Sequence, residues 1–332
     1  ASDPAIDTNP DGGVGTQWVN STSGEFYILT DATTDENVWT NAGSGTGNVE
    51  PWNGQGKNYG YIAAGGYPST FDSYEKYSLT SDGNSADVAN VSSEGYSKQG
   101  HASFINGYTT GHNVVDKMAF ASEGDMSGIG DQFHNRTSHV GADSLNHGYD
   151  AMGDDGANVN TIDKLSFSSD GNMTNVGDLP VARHGGAGCG SKTHGYAAGG
   201  QISAYQDVIE KYSFSSDGNG ADVGNLVLAR GRMHCGSQSE IYGYCAGGYT
   251  GSSVRPIDKW SFSSDGHATD VGDLIDVPCW TLGGHSSTSH GYVAGGYENL
   301  DRIDKWLFSS DSNAVDVGNL HTGRQGPAGF HI

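Results

Sequence analysis

Six copies of one short phrase limit what this chain can become. Gly60-Tyr61, Gly107-Tyr108, Gly148-Tyr149, Gly195-Tyr196, Gly243-Tyr244 and Gly291-Tyr292 each open a run of small residues that ends in glycine. A second phrase follows every copy: Glu75-Lys76-Tyr77, Asp116-Lys117-Met118, Asp163-Lys164-Leu165, Glu210-Lys211-Tyr212, Asp258-Lys259-Trp260 and Asp304-Lys305-Trp306. The lysines step by 41, 47, 47, 48 and 46 residues, a period that belongs to propellers or solenoids. A third phrase, Ser-Ser-Asp-Gly at 168–171, 215–218 and 263–266, precedes Asp-Val-Gly or Asn-Val-Gly and then leucine. Asp-Gly between extended runs suits a tight hairpin turn. Alternation in Ile257 to Phe262 puts Ile257, Lys259 and Ser261 on one side and Asp258, Trp260 and Phe262 on the other, the period of a strand.

Each unit therefore predicts four short antiparallel strands and no helix. Strand a follows an arginine or its equivalent, strand b holds Gly-Tyr, strand c holds the acid-Lys pair, and strand d holds Asp-Val-Gly-x-Leu. Four such strands make a propeller blade. The ends of the chain bear on closure. Residues 51–58 are a poor strand a for the first unit, whereas Arg324 to Ile332 resemble one. The expectation is an all-β fold: a six-bladed β-propeller over 56–332 with four-stranded blades, its ring closed by the C-terminal strand, which leaves no unpaired sheet edge at the seam. Tyr61, Tyr108, Tyr149, Tyr196, Tyr244 and Tyr292, with Lys76, Lys117, Lys164, Lys211, Lys259 and Lys305, are expected to be structural repeat positions. The lysines read as interblade or strand-edge ion pairs rather than catalytic groups, because six symmetric copies do not make one specialised site.

Charge excludes several functions. Sixteen Lys and Arg against 39 Asp and Glu give a net charge of −23, so neither nucleic acid nor an anionic membrane surface is an expected partner. No run approaches the 18 apolar residues that span a bilayer. The start, Ala-Ser-Asp-Pro, reads as a processed or trimmed end. Of the four cysteines, Cys235 and Cys245 fall on neighbouring strands, which leaves a disulfide between them open.

Arg183 through Gly195-Tyr196 and Gly199-Gly200, then Ile209 to Phe214 and Asp222 to Leu226, resemble the kelch repeat, with its double glycine and following aromatic strand. The resemblance covers 60–332 and is plainest in units four to six. Unit two departs from it with Gly111-His112 and unit three with Gly153-Asp154; Pro278 stands where an arginine should lead strand a; and strand d lacks tryptophan, so Val and Leu must pack there. Residues 1–55 look different. Gly13 to Thr30, with a hairpin turn at Ser23-Gly24 and a third extended piece at Trp39, resemble small β modules of bacteriophage tail and fibre proteins, and the Phe-Ser-Ser-Asp-Gly-Asn phrase resembles propeller regions of virion proteins from marine phages.

What these resemblances imply is a non-enzymatic, virion-associated structural or fibre-like protein, virion-bound or extracellular, without cofactor or metal. Its N-terminal module would attach to virion proteins, and its propeller would serve assembly or host-surface recognition, of glycans or protein. The homo-oligomeric state is open. A stand-alone extracellular lectin-like protein and a kelch-type sugar-modifying enzyme or oxidase are the alternatives. Strand reversal puts the variable b–c loops and the d–a loops on one face and the Asp-Gly turns on the other. Tyr205, Tyr249, Trp280 and Tyr297 are the candidate ligand contacts, since aromatic faces stack on sugars, and Arg255 is the candidate for an acidic group. Each of these aromatics has a rival role in packing its own blade. His147, His194 and His290 recur before Gly-Tyr and mark symmetry. The acidic loop Asp154 to Asn160 lacks the EF-hand spacing.

Overall fold

The structure, a computed structural model, describes residues 2–43, 52–276 and 279–332. They form two compact units whose boundary falls between Trp52 and Asn53 rather than between residues 55 and 56. The first unit is a three-stranded antiparallel sheet, Gln17–Val19, Phe26–Asp31 and Val38–Asn41. Tyr27, Leu29 and Trp39 are its buried face. Trp18 meets Trp39 edge-on at 6.0 Å, and Asn37 Nδ2 donates to the Ile6 carbonyl at 2.8 Å, folding the N-terminal segment back onto the sheet.

The second unit is β-propeller-like: six four-stranded antiparallel sheets, with no helix among the described residues. Sheets 2 to 6 take their strands consecutively. Sheet 1 takes strand a from the far end of the chain: Ala328–His331 pairs with Tyr59–Ala63, Phe330 opposite Tyr61, as the sequence leads one to expect. Strands a of successive sheets lie against one another, sheet 6 against sheet 1 and sheet 1 against sheet 2 included.

The repeated phrases mesh from sheet to sheet. Each strand-b tyrosine reaches into the following sheet: Tyr108 stacks on Phe167 at 4.9 Å, Tyr149 on Phe214 at 4.7 Å, Tyr196 on Phe262 at 4.8 Å and Tyr244 on Phe308 at 4.7 Å. Tyr61 meets Phe120 at 5.3 Å, and Tyr292 donates to the Leu79 carbonyl of sheet 1 at 3.4 Å. The glycine before tyrosine makes room for the strand-c aromatic: a Cβ on Gly195 would strike the Tyr212 ring, on Gly243 the Trp260 ring and on Gly291 the Trp306 ring. Gly-Tyr and Lys-aromatic are thus two halves of one contact. In place of a strand-d tryptophan, Val91, Leu179, Leu226, Leu274 and Leu320 are buried.

The acid-Lys pair splits its duties. The lysine leaves its own sheet for the c–d turn of the next: Lys76 to Glu123, Lys117 to Asp170, Lys164 to Asp217, Lys211 to Asp265, Lys259 to Asp311, and Lys305 to Asp82 of sheet 1, all between 2.5 and 2.7 Å. These are part-exposed pairs, worth roughly 0–1 kcal/mol each. The acid turns inward and is buried against a cation: Glu75 with Arg324, Asp116 with Lys98, Asp163 with Arg136, Glu210 with Arg183 and Asp258 with Arg230. Sheet 6 differs. Pro278 lies outside the described residues, and Cys279 stands two residues before the loop residue Thr281, where Arg183 stands before Gly185; Asp304 is met instead by Arg302 of its own strand, at 2.8 Å.

Two rings surround the axis. The first consists of Gly100, Gly141, Gly188, Gly284 and Gly329, each within a strand a, and Gly236, which immediately precedes Ser237–Gln238, strand a of sheet 5. A Cβ on Gly100 would run into the Gly329 carbonyl, on Gly329 into that of Gly284, on Gly236 into that of Gly188 and on Gly188 into that of Gly141. The second lies in the d–a loops, where Ser97, Ser138, Gly185, Arg232, Thr281 and Gly326 all have φ between 55° and 69°. Their backbones pass a hydrogen bond from loop to loop: Ser138 to Ser97, Gly185 to Ser138, Met233 to Gly185, Thr281 to Arg232, Gly326 to Thr281 and Ser97 to Gly326.

At the opposite end of the axis the segment from Asn53 crosses the strand-a termini. Asn53 Nδ2 donates to Ala102 and Ser144 carbonyls, its own carbonyl meets His331 Nε2 at 3.0 Å, and Gln55 Nε2 donates to Gln238 and Ser287 carbonyls. Two residues, through their side chains and one backbone carbonyl, thereby tie five sheets, which is why the unit boundary precedes Asn53. All four cysteines are free and buried. Cys235 donates to the Ala246 carbonyl and Cys245 faces Met233 Sδ, so the disulfide left open by the sequence is not formed.

Candidate functional site

The space enclosed by the strands a is nearly filled. Its cavity of about 40 Å³ is lined by the six glycines with Asp143, Gln238 and His331. That holds about one water molecule, and Asn53 and Gln55 span its turn-side end. A larger cleft of about 260 Å³ lies beside the turn of sheet 2, where the Lys117–Asp170 pair forms part of its wall.

The loop face offers a different surface. Tyr205, Tyr249, Trp280 and Tyr297, from loops of sheets 4, 5 and 6, form a continuous row: Tyr205 to Tyr249 at 6.0 Å, Tyr249 to Trp280 at 5.4 Å, and Trp280 stacked on Tyr297 at 4.0 Å with 16° between the planes. Backbone bonds fix the loops that carry them. Tyr249 and Gly231 exchange N–H···O bonds, and Tyr297 N–H donates to the Trp280 carbonyl at 3.0 Å. The tyrosines are half-buried, while Trp280 is 8% exposed. Trp280 therefore fills a packing role as well as a place in the row.

Arg255 is not part of this row. Its guanidinium faces Asp273 at 3.9 Å and the Ile275 carbonyl at 3.2 Å. The cation over the rings is Arg232, 5.0 Å from the Tyr249 centroid and 5.1 Å from that of Trp280. Sequence reading passed over it because it stands where the other units carry serine, threonine or glycine. That very departure was the signal available. A second arc was also missed: Tyr67 meets Tyr96 at 6.0 Å and Tyr96 meets His112 at 5.9 Å. Asn299, two residues beyond Tyr297, bonds both backbone groups of Tyr67, so the arcs adjoin at sheets 6 and 1.

A titratable cluster lies between sheets 2 and 3. His101 contacts Asp143 at 2.6 Å and Asp150 at 3.0 Å, and His139 lies 3.4 Å from Asp150. Burial opposes the charge on His101, but the two carboxylates outweigh it and hold the imidazole up at about 10. Burial takes His139 down to about 3 against the pull of Asp150. Asp150, which burial alone would raise, is kept below the usual carboxylate range by both histidines. His101, His139 and Asp150 have no exposed side-chain surface, so this cluster is packed between the two sheets. Among the described residues no three His, Cys, Asp or Glu side chains are grouped to hold a metal ion. His147 and His290 stand half-buried beside the tyrosines of their own phrases, each 6.2 Å away.

No family model matches the chain, and no curated protein matches it in sequence.

Proposed function

We propose that the chain is a non-enzymatic recognition protein: a closed, six-bladed, kelch-like propeller that presents its loop face to a carbohydrate-bearing surface, in a virion or extracellular setting. The observation that carries this reading is the row Tyr205–Tyr249–Trp280–Tyr297, four rings from three sheets held by backbone bonds on the variable-loop face. Stacked rings with hydroxyl rims suit the mixed apolar and polar faces of sugars, and rigid loops keep the ordering cost of binding low. The ion-pair cycle through Lys305 and Asp82 supports closure. The virion setting rests on the likeness of residues 13–40 to phage fibre modules, with the N-terminal sheet as the attachment end. Among the described residues no helix is long and apolar enough to cross a membrane.

Binding and turnover on a glycan array, measured together, test the proposal. The wild-type chain should bind without turnover. Tyr297→Ala should weaken binding about tenfold, a base-rate loss for one stacked ring, and Arg255→Ala should leave it unchanged. Binding that survives both Tyr249→Ala and Tyr297→Ala would place recognition elsewhere.

A further inference from the structure

We infer that the ligand of the loop face is an acidic saccharide whose carboxylate is taken by Arg232; this rests on the carbohydrate reading above. The argument begins with how this chain treats its cations. Of seven arginines, six face a carboxylate: Arg136, Arg183, Arg230, Arg255, Arg302 and Arg324. Of nine lysines, all but Lys57 do so. Arg232 has neither an ion pair nor a side-chain hydrogen bond among the described residues, although acids outnumber bases 39 to 16 in the chain.

Its surroundings are specific nonetheless. The backbone at Arg232 belongs to the left-handed ring of d–a loops, φ 57°, and its carbonyl accepts from Thr281 at 2.6 Å. The side chain therefore starts from a fixed point near the axis and lies over Tyr249 and Trp280. Rings hold a guanidinium by its face and leave its N–H edge open, and that edge matches the two oxygens of a carboxylate. A neutral sugar would use the rings and offer the guanidinium only uncharged hydroxyl acceptors, without the paired oxygens of a carboxylate. A sugar acid would use both at once, stacking on Tyr297 and Tyr249 while its carboxylate reaches the guanidinium.

The test compares matched pairs on the intact chain: uronate oligosaccharides, their methyl esters, and sulfated oligosaccharides of equal length. Uronates should bind at least tenfold more tightly than their esters. Arg232→Gln should abolish that difference while leaving the weaker ester binding in place, and Arg232→Lys should restore only part of it, since an ammonium cannot form the two-pronged contact. The thermal midpoint of each variant should stay within about 2 °C of wild type, because the side chain makes no ion pair or hydrogen bond and its ring contacts are weak. Equal binding of acids and esters overturns the acidic assignment and spares the carbohydrate reading. A preference for sulfated over uronate sugars overturns the carboxylate assignment. No binding to any saccharide overturns the carbohydrate reading itself.

Discussion

Replacing Gly236 by alanine would put a methyl group where the backbone of Gly188 already stands. Gly236 does not have a positive φ, so its requirement for glycine is one of space alone. The obstructing atoms cannot swing away as a side chain would. Gly188 is paired with Ala197 in its own strand ladder and is itself packed against the Gly141 carbonyl, so relief means displacing a whole strand a. Overpacking of this kind costs about 1–3 kcal/mol, and a rigid backbone obstacle argues for the upper end. At about 2 °C per kcal/mol for a unit of this size, the thermal midpoint should fall by about 6 °C. Two controls separate space from conformation. Gly124 has open space and no positive φ, so Gly124→Ala should be neutral; Gly218 has open space but φ 112°, so Gly218→Ala should cost about 1 kcal/mol. Differential scanning calorimetry reads all three. A Gly236→Ala protein melting within about 1 °C of wild type would refute the claim that glycine is there to let strands a touch.

Asp304, lacking the buried arginine or lysine that meets the equivalent acid in the other sheets, is pushed up to about 6 by burial, which Arg302 only partly offsets. The folded chain then holds this proton more tightly than the unfolded one, so stability falls as pH rises from about 4 to 6, by about 3 kcal/mol for a shift of two units; Asp304→Asn should remove that part of the slope in urea titrations. His101 has the same sign at higher pH: its proton stabilises the fold fully below about 6.5 and is lost as pH climbs through about 10, so His101→Gln should flatten the alkaline decline of the midpoint. Phe330, 5.2 Å from Tyr61 and stacked on it, fills the seam between the last strand and the first sheet; Phe330→Ala should cost about 3–5 kcal/mol, and a loss under 1 kcal/mol in chemical denaturation would mean the seam is loosely packed.

The fold was legible because its recurring residues are geometric necessities repeated six times. Glycine before tyrosine, lysine after an acid and an acid at the c–d turn each answer a contact that every sheet must make. The C-terminal strand could be placed from a missing strand a alone. What escaped was what occurs once or is shared across sheets. The acid of the acid-Lys pair looked like a surface partner, since alternation along a strand does not tell which of two neighbouring residues meets the cation that precedes strand a. Asp150 stands where other units have Ile62, Thr109, Ala197, Cys245 or Val293, and that polar exception was the trace of the buried histidine cluster. The four aromatics were singled out one by one as candidate ligand contacts, but that they touch in a row was not read from the sequence. Arg232 was not singled out, because the backbone ring that aims it is a property of six loops together and leaves no motif in any one of them.

The pairing of Ala328–His331 with Tyr59–Ala63 also has a bearing on synthesis. A ribosome releases the partner of the earliest of these sheets only after it has made the other five, so a nascent chain carries an unfinished edge on sheet 1 through most of its translation. Until then that edge is open to the wrong strand, from this chain or from a neighbour on the same message. Synthesis of that late segment, rather than growth of the core, is the event that completes sheet 1.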